Sequence, residues 1–256
     1  MNIIVCYKIV PEEQDIRVNP DRTLDFARAE WKLSLYDLNA VEAGMQIAEA
    51  VGGQVTALSV GDGKLENSKL KKAILSRGPE VLYLVIDEAL SGADTYRTAQ
   101  TLALAAEKIG FDLILCGEGS SDLYARQTGI QLGEILQIPV INNISKITPQ
   151  NGLLLVERDL DDETEVLEVS LPAVVSVSAG INSTRIPGMK DILNAGKKPA
   201  TEWRAGDVGL PVYESKVSPL HTLAPEQTDR KRIILDGDSE ENIQALFENI
   251  RQAIKQ

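Results

Sequence analysis

The loop at residues 117–122, Gly-Glu-Gly-Ser-Ser-Asp, has the composition of an anion-binding turn. It directly follows an apolar run and precedes a stretch that contains Gln127, Thr128 and Gly129. Small residues let backbone N–H groups approach a phosphate, and the start of a following helix adds positive potential. The lysine of a Walker loop and the glycine spacing of a dinucleotide fingerprint are both missing. A strand-to-helix turn capped by serine or aspartate fits equally well, so the loop alone leaves nucleotide binding open.

Other residues could contribute to a site at this loop. The turn at residues 60–63, Val-Gly-Asp-Gly, follows a neighbouring apolar run, although Asp-Gly turns are common in proteins. Two glycine-rich turns at one edge of a sheet would enclose a crevice. Asp37 could contact a nucleotide there, and it could equally cap the helix that follows it.

Residue types that would support metal or hydrolytic chemistry are sparse. The carboxylates at residues 159–163 lie on a hairpin turn without calcium-loop spacing, which predicts a solvated turn and no metal site. Cys6 and Cys116 each end an apolar run and are expected to be small buried side chains in a reducing cytoplasm. His221 is expected at the surface of a proline-rich loop. No nucleophile with a base partner can be assembled from these motifs, so we do not expect hydrolytic chemistry.

The net charge of the chain is −12, from 38 acidic and 26 basic residues. Nucleic-acid binding needs a basic surface, so this balance argues against it. A transmembrane helix needs roughly 20 consecutive apolar residues, and the sequence contains no such run. Residues 1–10 enter a strand-like run directly, so no export signal is expected.

Up to about residue 140, short apolar runs alternate with amphipathic stretches. The apolar runs predict strands at 3–7, 55–60, 81–86 and 113–116. The amphipathic stretches predict helices from Asp37 to the Gly52-Gly53 pair and at 64–76, 95–109 and 124–136. This alternation predicts an α/β fold with a Rossmann-like parallel sheet flanked by helices. In such folds, ligands bind at the carboxyl ends of the strands.

The pattern changes after residue 140. Four predicted strands, at 140–147, 153–158, 164–169 and 173–177, have no helices between them, which predicts an antiparallel extension of the sheet. Beyond Asn182 the chain is rich in proline and glycine through Thr228, and a last amphipathic helix is expected at 240–254. An irregular stretch this long is unusual inside a compact domain. We therefore divide the chain into an α/β core at 1–181 and a C-terminal arm at 182–256 that wraps a partner.

A longer motif spans residues 156–176. The segment 156–166 reads Val-Glu-Arg-Asp-Leu-Asp-Asp-Glu-Thr-Glu-Val, and the segment 170–176 reads Ser-Leu-Pro-Ala-Val-Val-Ser. This order of a basic residue, an acidic turn, a strand and Leu-Pro-Ala-Val-Val resembles the signature of electron transfer flavoprotein beta subunits. The resemblance covers nearly the whole chain, and residues 7–16 are most similar to the FixA-like branch of that family.

The resemblance implies one half of a heterodimer that shuttles electrons between dehydrogenase-type redox partners through FAD. The other half is an alpha subunit of the FixB-like type, which holds most of the redox-active FAD. The beta subunit has no catalytic chemistry of its own and binds AMP, or a second FAD in electron-bifurcating members. The nucleotide-binding residues that the resemblance implies are Cys6, Ser34, Leu35, Tyr36, Asp37, Val60, Glu118, Gly119, Ser120, Ser121, Asp122, Gln127, Thr128 and Gly129.

The resemblance also implies roles for residues outside the nucleotide site. Arg158 is expected in the flavin environment or at the subunit contact. Segment 182–198 resembles the partner-recognition loop, in which Arg185 and Met189 are expected to dock redox partners, with Met189 protruding from a turn. Members that bind AMP carry several aspartates in the nucleotide loop, where this chain has only Asp122, and the Asp-Gly-Asp-Thr pattern of bifurcating members is missing. AMP and a second FAD are therefore both left open.

Two other classes of protein are alternatives. A nucleotide-binding regulatory module of the universal-stress type would resemble residues 1–140, but it would not need the 156–176 motif or the C-terminal arm. An enzyme that activates its substrate with ATP would require basic residues near its phosphate loop. Residues 117–122 include no basic residue.

Overall fold

The computed structural model describes residues 1–150, 152–212, 217, 220–226 and 232–254. Its strands are β1 (Asn2–Cys6), β2 (Ile9–Pro11), β3 (Arg17–Val18), β4 (Leu24–Asp25), β5 (Trp31–Leu33), β6 (Gln54–Gly61), β7 (Val81–Ile86), β8 (Leu113–Gly117), β9 (Val140–Gln150), β10 (Leu153–Asp159), β11 (Thr164–Ser170), β12 (Ala173–Val177) and β13 (Ala200–Trp203). Its α-helices are α1 (Leu35–Val51), α2 (Ser68–Leu75), α3 (Thr95–Ile109), α4 (Thr128–Leu136), α5 (Met189–Ala195) and α6 (Glu240–Ile254).

The main sheet has the strand order β11-β10-β9-β12-β8-β1-β6-β7-β13. Strand β10 is antiparallel to both of its neighbours, β9 and β11, and the other neighbouring pairs are parallel. The predicted fold class, a Rossmann-like parallel sheet flanked by helices with an antiparallel extension, is confirmed. The acidic turn at 159–163 joins β10 to β11 and its residues are exposed, as the sequence predicts.

Two apolar layers cover the two faces of this sheet. One layer contains side chains of α1 and α2, such as Val41 and Ile74. The other contains side chains of α3 and α4, such as Ala103 and Leu132. The chain runs from β1 to β6 and β7, and then returns through α3 to β8 on the other side of β1. The pair β1–β8 is therefore a topological switch point, the place at which open α/β sheets form a ligand crevice.

The helix expected at 124–136 is shorter than predicted and begins at Thr128. Tyr124 and Arg126 have left-handed backbones, with φ of 46° and 57°, which a helix does not accept. The loop after β8 therefore extends through Gln127. It contains more of the predicted nucleotide-binding residues than the sequence pattern indicates.

The stretch expected as one helix at 64–76 is divided into two parts. A short 3-10 turn at Gly63–Glu66 comes first, and α2 follows it. The Asn67 side chain accepts a hydrogen bond from the backbone N–H of Lys69 at 2.9 Å. This local cap starts a new helix, because it satisfies a backbone donor that the preceding turn leaves free.

The chain after Asn182 is more regular than predicted. Helix α5 follows Gly188, and β13 pairs in parallel with β7. Ala195 and Val208 are buried in the two apolar layers. Residues 200–203 thus belong to the same sheet as β1, although the sequence division assigns them to the arm. This strand is too short, and its side chains are too exposed, to give a recognisable apolar pattern.

The last part of the arm contacts the N-terminal region and then carries α6. Thr23 forms an antiparallel bridge with Leu223, and the Ala224 N–H donates to the Arg22 carbonyl at 2.9 Å. Helix α6 has the predicted bounds. His221 is exposed, as predicted. Positions 213–216, 218–219 and 227–231, which belong to the stretch predicted as irregular through Thr228 or follow it closely, lie outside the described residues.

In the part of the chain that the structure describes, no helix is long and apolar enough to span a bilayer.

Candidate functional site

Asp37 lies at the switch point between β1 and β8. It is in the first turn of α1 and is 7% exposed. Its carboxylate accepts the backbone N–H of Lys8 at 2.8 Å, just after β1, and that of Gly117 at 3.2 Å, at the end of β8. Ser34, not Asp37, occupies the N-cap position of α1. The alternative that Asp37 caps this helix is therefore wrong, since its side chain joins the ends of the two strands at the switch point.

The pKa of the Asp37 carboxyl is strongly perturbed. Burial raises it from 3.8 to about 7, although the N–H groups of Lys8 and Gly117 and the Ser34 hydroxyl act in the opposite direction. The switch point therefore contains a buried carboxyl group that changes its charge near neutral pH.

The loop at 117–122 packs against the start of α1. The Ser121 Oγ accepts the Leu35 N–H at 3.1 Å, and the Ser121 N–H donates to the Ser34 Oγ at 3.4 Å. The Lys8 ammonium lies 2.6 Å from the Asp122 carboxylate. Burial alone would raise the pKa of Asp122, but Lys8 and a neighbouring hydroxyl hold it below its ordinary value. The structure thus brings together predicted site residues from two distant parts of the chain.

The two cysteines lie side by side beneath the crevice. Cys6 ends β1 and Cys116 is in β8, and each is 6% exposed in the apolar layer under α3 and α4. A hydrogen bond with Cys116, together with burial and the nearby Asp37, raises the pKa of the Cys6 thiol well above its usual range. Neither thiol is in a disulfide. The prediction that both are small buried side chains is confirmed.

Tyr124 covers the glycine in the middle of the loop. Its ring centroid is 5.1 Å from that of Tyr36, with an interplanar angle of 42°. A Cβ at Gly119 would lie 2.5 Å from Tyr124 Cδ2, so only glycine fits under the ring in this position. The Arg126 guanidinium lies 5.5 Å from the centroid of the same ring. Tyr36 is a predicted site residue, and Tyr124 beside it is one that the sequence pattern does not indicate.

The remaining predicted residues of this loop are engaged within the chain. The Glu118 N–H donates to the Val177 carbonyl at 2.9 Å, and its carboxylate lies 3.5 Å from Arg126. The Ser120 carbonyl accepts the N–H of Tyr124 at 3.0 Å. These contacts fix the course of the loop along the carboxyl edge of the sheet.

The predicted residue Val60 lies outside this loop, near the end of β6. It packs half-buried against the apolar layer under α3 and α4.

Helix α4 begins without a side-chain cap. Gln127 occupies its N-cap position, and the Gln127 Oε1 accepts the hydroxyl of Thr95 at 3.0 Å instead of a backbone N–H. Thr128 and Gly129 are the first two helical residues. A helix start without a side-chain cap leaves backbone N–H groups for water or an anionic ligand.

A cavity of about 490 Å³ lies between the starts of α3 and α4. Its size is in the range of small-molecule sites. The buried Oε1 of Gln131 has no hydrogen-bond partner among the described residues and lies on a residue that lines this space. Among the lining residues, only Gln127 is a predicted site residue. The Asp94-Thr95 helix start, which follows β7 after a short 3-10 turn, is the sequence feature that could have revealed others. The lining residues are Asp94, Thr95, Tyr96, Gln100, Gln127, Gln131 and Val217.

Arg158 is part of the antiparallel extension. Its Nε donates to the Glu165 carboxylate at 2.8 Å, with a second contact from the same guanidinium, and its Nη1 donates to Asn142 Oδ1 at 3.2 Å. The side chain thus ties β10 to β11 and to β9. It belongs to a different part of the structure from the residues around Asp37.

The two predicted docking residues have opposite orientations. The Arg185 guanidinium contacts Glu42 and Glu49 of α1. Met189 is 75% exposed and is the first residue of α5, where the sequence analysis placed it at the tip of a turn. Ile186 is exposed beside it. The exposed part of this segment is therefore apolar, while its arginine is held within the chain.

Replacement of Gly119 by valine is expected to displace the Tyr124 ring at a cost of about 1 kcal/mol, because the ring is at the surface and can move. If backbone N–H groups of the loop bind a phosphate, the same change lowers the nucleotide content of the purified protein. The content is measured by acid extraction and chromatography.

The control for this experiment is Tyr124→Ala, alone and combined with Gly119→Val. The double variant is expected to regain stability and still to lack nucleotide, since the added side chain remains in front of the loop. Full nucleotide content in the double variant would show that the glycine serves only to accommodate Tyr124.

The sheet order, with its switch point between β1 and β8, defines a Rossmann-like α/β protein. A family model described as "Electron transfer flavoprotein domain" matches residues 22–208. The match covers well over half of the 256 residues, so the chain belongs to the electron transfer flavoprotein family. Members of this family are electron carriers and not enzymes with a substrate reaction of their own.

Proposed function

We propose that the chain is the beta subunit of a heterodimeric electron transfer flavoprotein. With a FixB-like alpha subunit, it passes electrons between dehydrogenase-type redox partners through FAD. The flavin supplies the redox chemistry, and this chain supplies binding, orientation and electrostatics. The main support is the convergence of the predicted nucleotide-binding residues at the switch point of a chain that belongs to this family.

The residues at the crevice fit a phosphate-bearing nucleotide. Lys8 is already paired with Asp122, so the charge of a phosphate would be balanced by backbone N–H groups and the uncapped start of α4. The neighbouring cavity is large enough for a nucleoside. The proposed ligand is AMP or the adenosine part of a second FAD.

The arm supports a role in subunit assembly. None of the α6 side chains is buried, although one face of the helix is apolar. A helix with such a face needs a partner surface to cover it, and the proposed occupant is the alpha subunit. Arg158 is proposed to lie near the flavin or the subunit contact, and Met189 to meet the redox partner. The apolar side chains of α6 are Ile243, Leu246, Phe247, Ile250 and Ile254.

The universal-stress alternative has no observation in its favour. The family match continues to residue 208, through the antiparallel extension and β13, which that alternative does not need. A cytoplasmic location stays a prediction from the sequence.

Co-expression with a FixB-like alpha subunit is expected to give a yellow complex. It should contain one FAD on the alpha subunit and one AMP or FAD on this chain, so the complex carries one FAD more than the chain alone. Absorption spectroscopy and chromatography of extracted nucleotides count both ligands. A lone chain with as many FAD molecules as the complex would contradict the proposed division of roles.

A matched pair of variants tests the α6 contact. Phe247→Asp places a charge on the apolar face and is expected to weaken the complex at least about tenfold. Glu241→Gln changes the polar face of the same helix and should leave assembly unchanged. Equal affinity of both variants for the alpha subunit would exclude α6 from the interface.

A further inference from the structure

We propose that Glu42 of α1 is a positioning residue, which holds the partner-docking segment in place through Arg185. The docking segment is defined here as residues 182–195. The inference rests on the proposed function, in which Met189 of this segment meets the redox partner. It assigns Arg185 to an internal contact, whereas the sequence analysis expected it to touch the partner.

The contact between Glu42 and Arg185 is a three-point contact. Arg185 Nε donates to Glu42 Oε2 at 2.6 Å, and its Nη2 donates to Oε1 at 3.1 Å. The backbone N–H of Arg185 also donates to Oε2, at 3.1 Å. Two parallel N–H···O bonds between a guanidinium and a carboxylate fix direction as well as distance. The main chain at Arg185 is therefore held directly to the helix.

The Glu42 carboxylate is placed to make this contact strong. The residue is 6% exposed, so water competes little for its oxygen atoms. The Gln46 amide donates to the Glu42 Oε1 at 3.0 Å and helps fix its orientation. Burial alone would raise the pKa of Glu42, but Arg185 lowers it below its ordinary value, so the carboxylate is charged at neutral pH.

A second contact holds the docking segment one helical turn earlier. The Asn39 amide donates to both the backbone carbonyl and the Oδ1 of Asn182, each at 3.0 Å. The Asn182 amide donates back to the Asn39 carbonyl at 3.0 Å. Residues 39 and 42 lie on the same face of α1. The two pairs therefore attach both ends of the stretch 182–185 to one rigid helix.

Packing does little to hold the part of the segment that follows. Ile186 is 93% exposed, Met189 is 75% exposed, and Ile192 and Leu193 are also exposed. Ala195 is the buried residue of α5. A segment with few buried apolar contacts depends on its polar attachments for a defined position. The Glu42–Arg185 contact therefore positions the start of the segment that presents Met189, and the burial of Ala195 holds its end.

The same helix also carries the crevice residue Asp37 at its start. The docking segment is thus attached to the same helix, α1, that borders the proposed nucleotide site.

The test uses the heterodimer with Glu42→Gln. Amide hydrogen exchange is expected to become about ten- to a hundredfold faster in residues 182–195, because hydrogen bonds to a charged group are lost. The KM for the dehydrogenase-type partner should rise about tenfold, while kcat and direct reduction of the flavin by dithionite stay unchanged. Glu49→Gln is the matched control, since Glu49 touches the same guanidinium from an exposed position and should have little effect.

Arg185→Lys is a second variant, which keeps the charge and loses the two-point geometry, and it should behave like Glu42→Gln. Unchanged exchange and KM in both variants would overturn the positioning role. Met189→Ala separates this outcome from a failure of the proposed function. If Met189→Ala leaves electron transfer unchanged, the docking role of the segment is wrong, whatever the exchange rates show.

Discussion

Asp37→Asn is expected to remove a pH-dependent part of the stability of this chain. The folded-state pKa of Asp37 is about 7, against 3.8 for the ordinary carboxyl group, because the side chain is buried. At pH values between these two pKa values, folding is therefore accompanied by uptake of a proton at Asp37. The stabilising contribution is complete below the unfolded pKa and is lost as the pH rises through the folded pKa. Relative to the asparagine variant, the wild type should lose about 2–3 kcal/mol of unfolding free energy between pH 5 and pH 8.

Denaturant unfolding of both proteins over this pH range measures the difference. Asp122→Asn is the matched control, because Asp122 lies in the same crevice and its pKa is lowered. Its contribution is present above the unfolded pKa and is lost only as the pH falls below about 4, so the control should be flat between pH 5 and pH 8. A flat difference for Asp37→Asn as well would show that this carboxyl stays charged in the folded protein.

The sheet was predictable because its strands are continuous apolar runs. Strands β7 and β12 have the predicted bounds, and β1, β6 and β8 differ by about one residue. Burial on both faces makes such runs apolar at every position, so the sequence pattern reports the burial directly. The short edge strand β13 has no such pattern, because it is half-exposed and its place is fixed by pairing with β7.

The site was predictable in composition and not in geometry. The Asp37 partners lie 29 and 80 residues away, and the Glu42 partner lies 143 residues away. Local patterns contain no information on such contacts, so an aspartate before an apolar helix is interpreted as a cap. The left-handed backbone at Tyr124 has the same origin, since the ring is placed by Tyr36 and Gly119 and not by its sequence neighbours.

Gly129→Ala tests what a glycine does at the start of α4. A Cβ at this position would overlap the Oγ of Ser176 in β12, and Ser176 is buried. The helix packs directly on this strand, so the overlap cannot be relieved by moving a surface side chain. We expect a loss of about 1–3 kcal/mol in unfolding free energy from this overpacking. The sequence resemblance assigns the same glycine to nucleotide binding, and stability alone does not separate the two roles.

Ser176→Ala makes the separation possible. It removes the overlapping oxygen, and the next atoms around the added Cβ are at ordinary contact distances, with Cys116 Cβ at 3.6 Å and Ser176 Cβ at 3.7 Å. In the Gly129→Ala/Ser176→Ala double variant, stability should return to that of Ser176→Ala alone. If the glycine serves packing, the nucleotide content returns with it, because the start of α4 is again in place. If stability returns while nucleotide remains absent, the added methyl group blocks the ligand itself, and Gly129 forms part of the phosphate-binding surface.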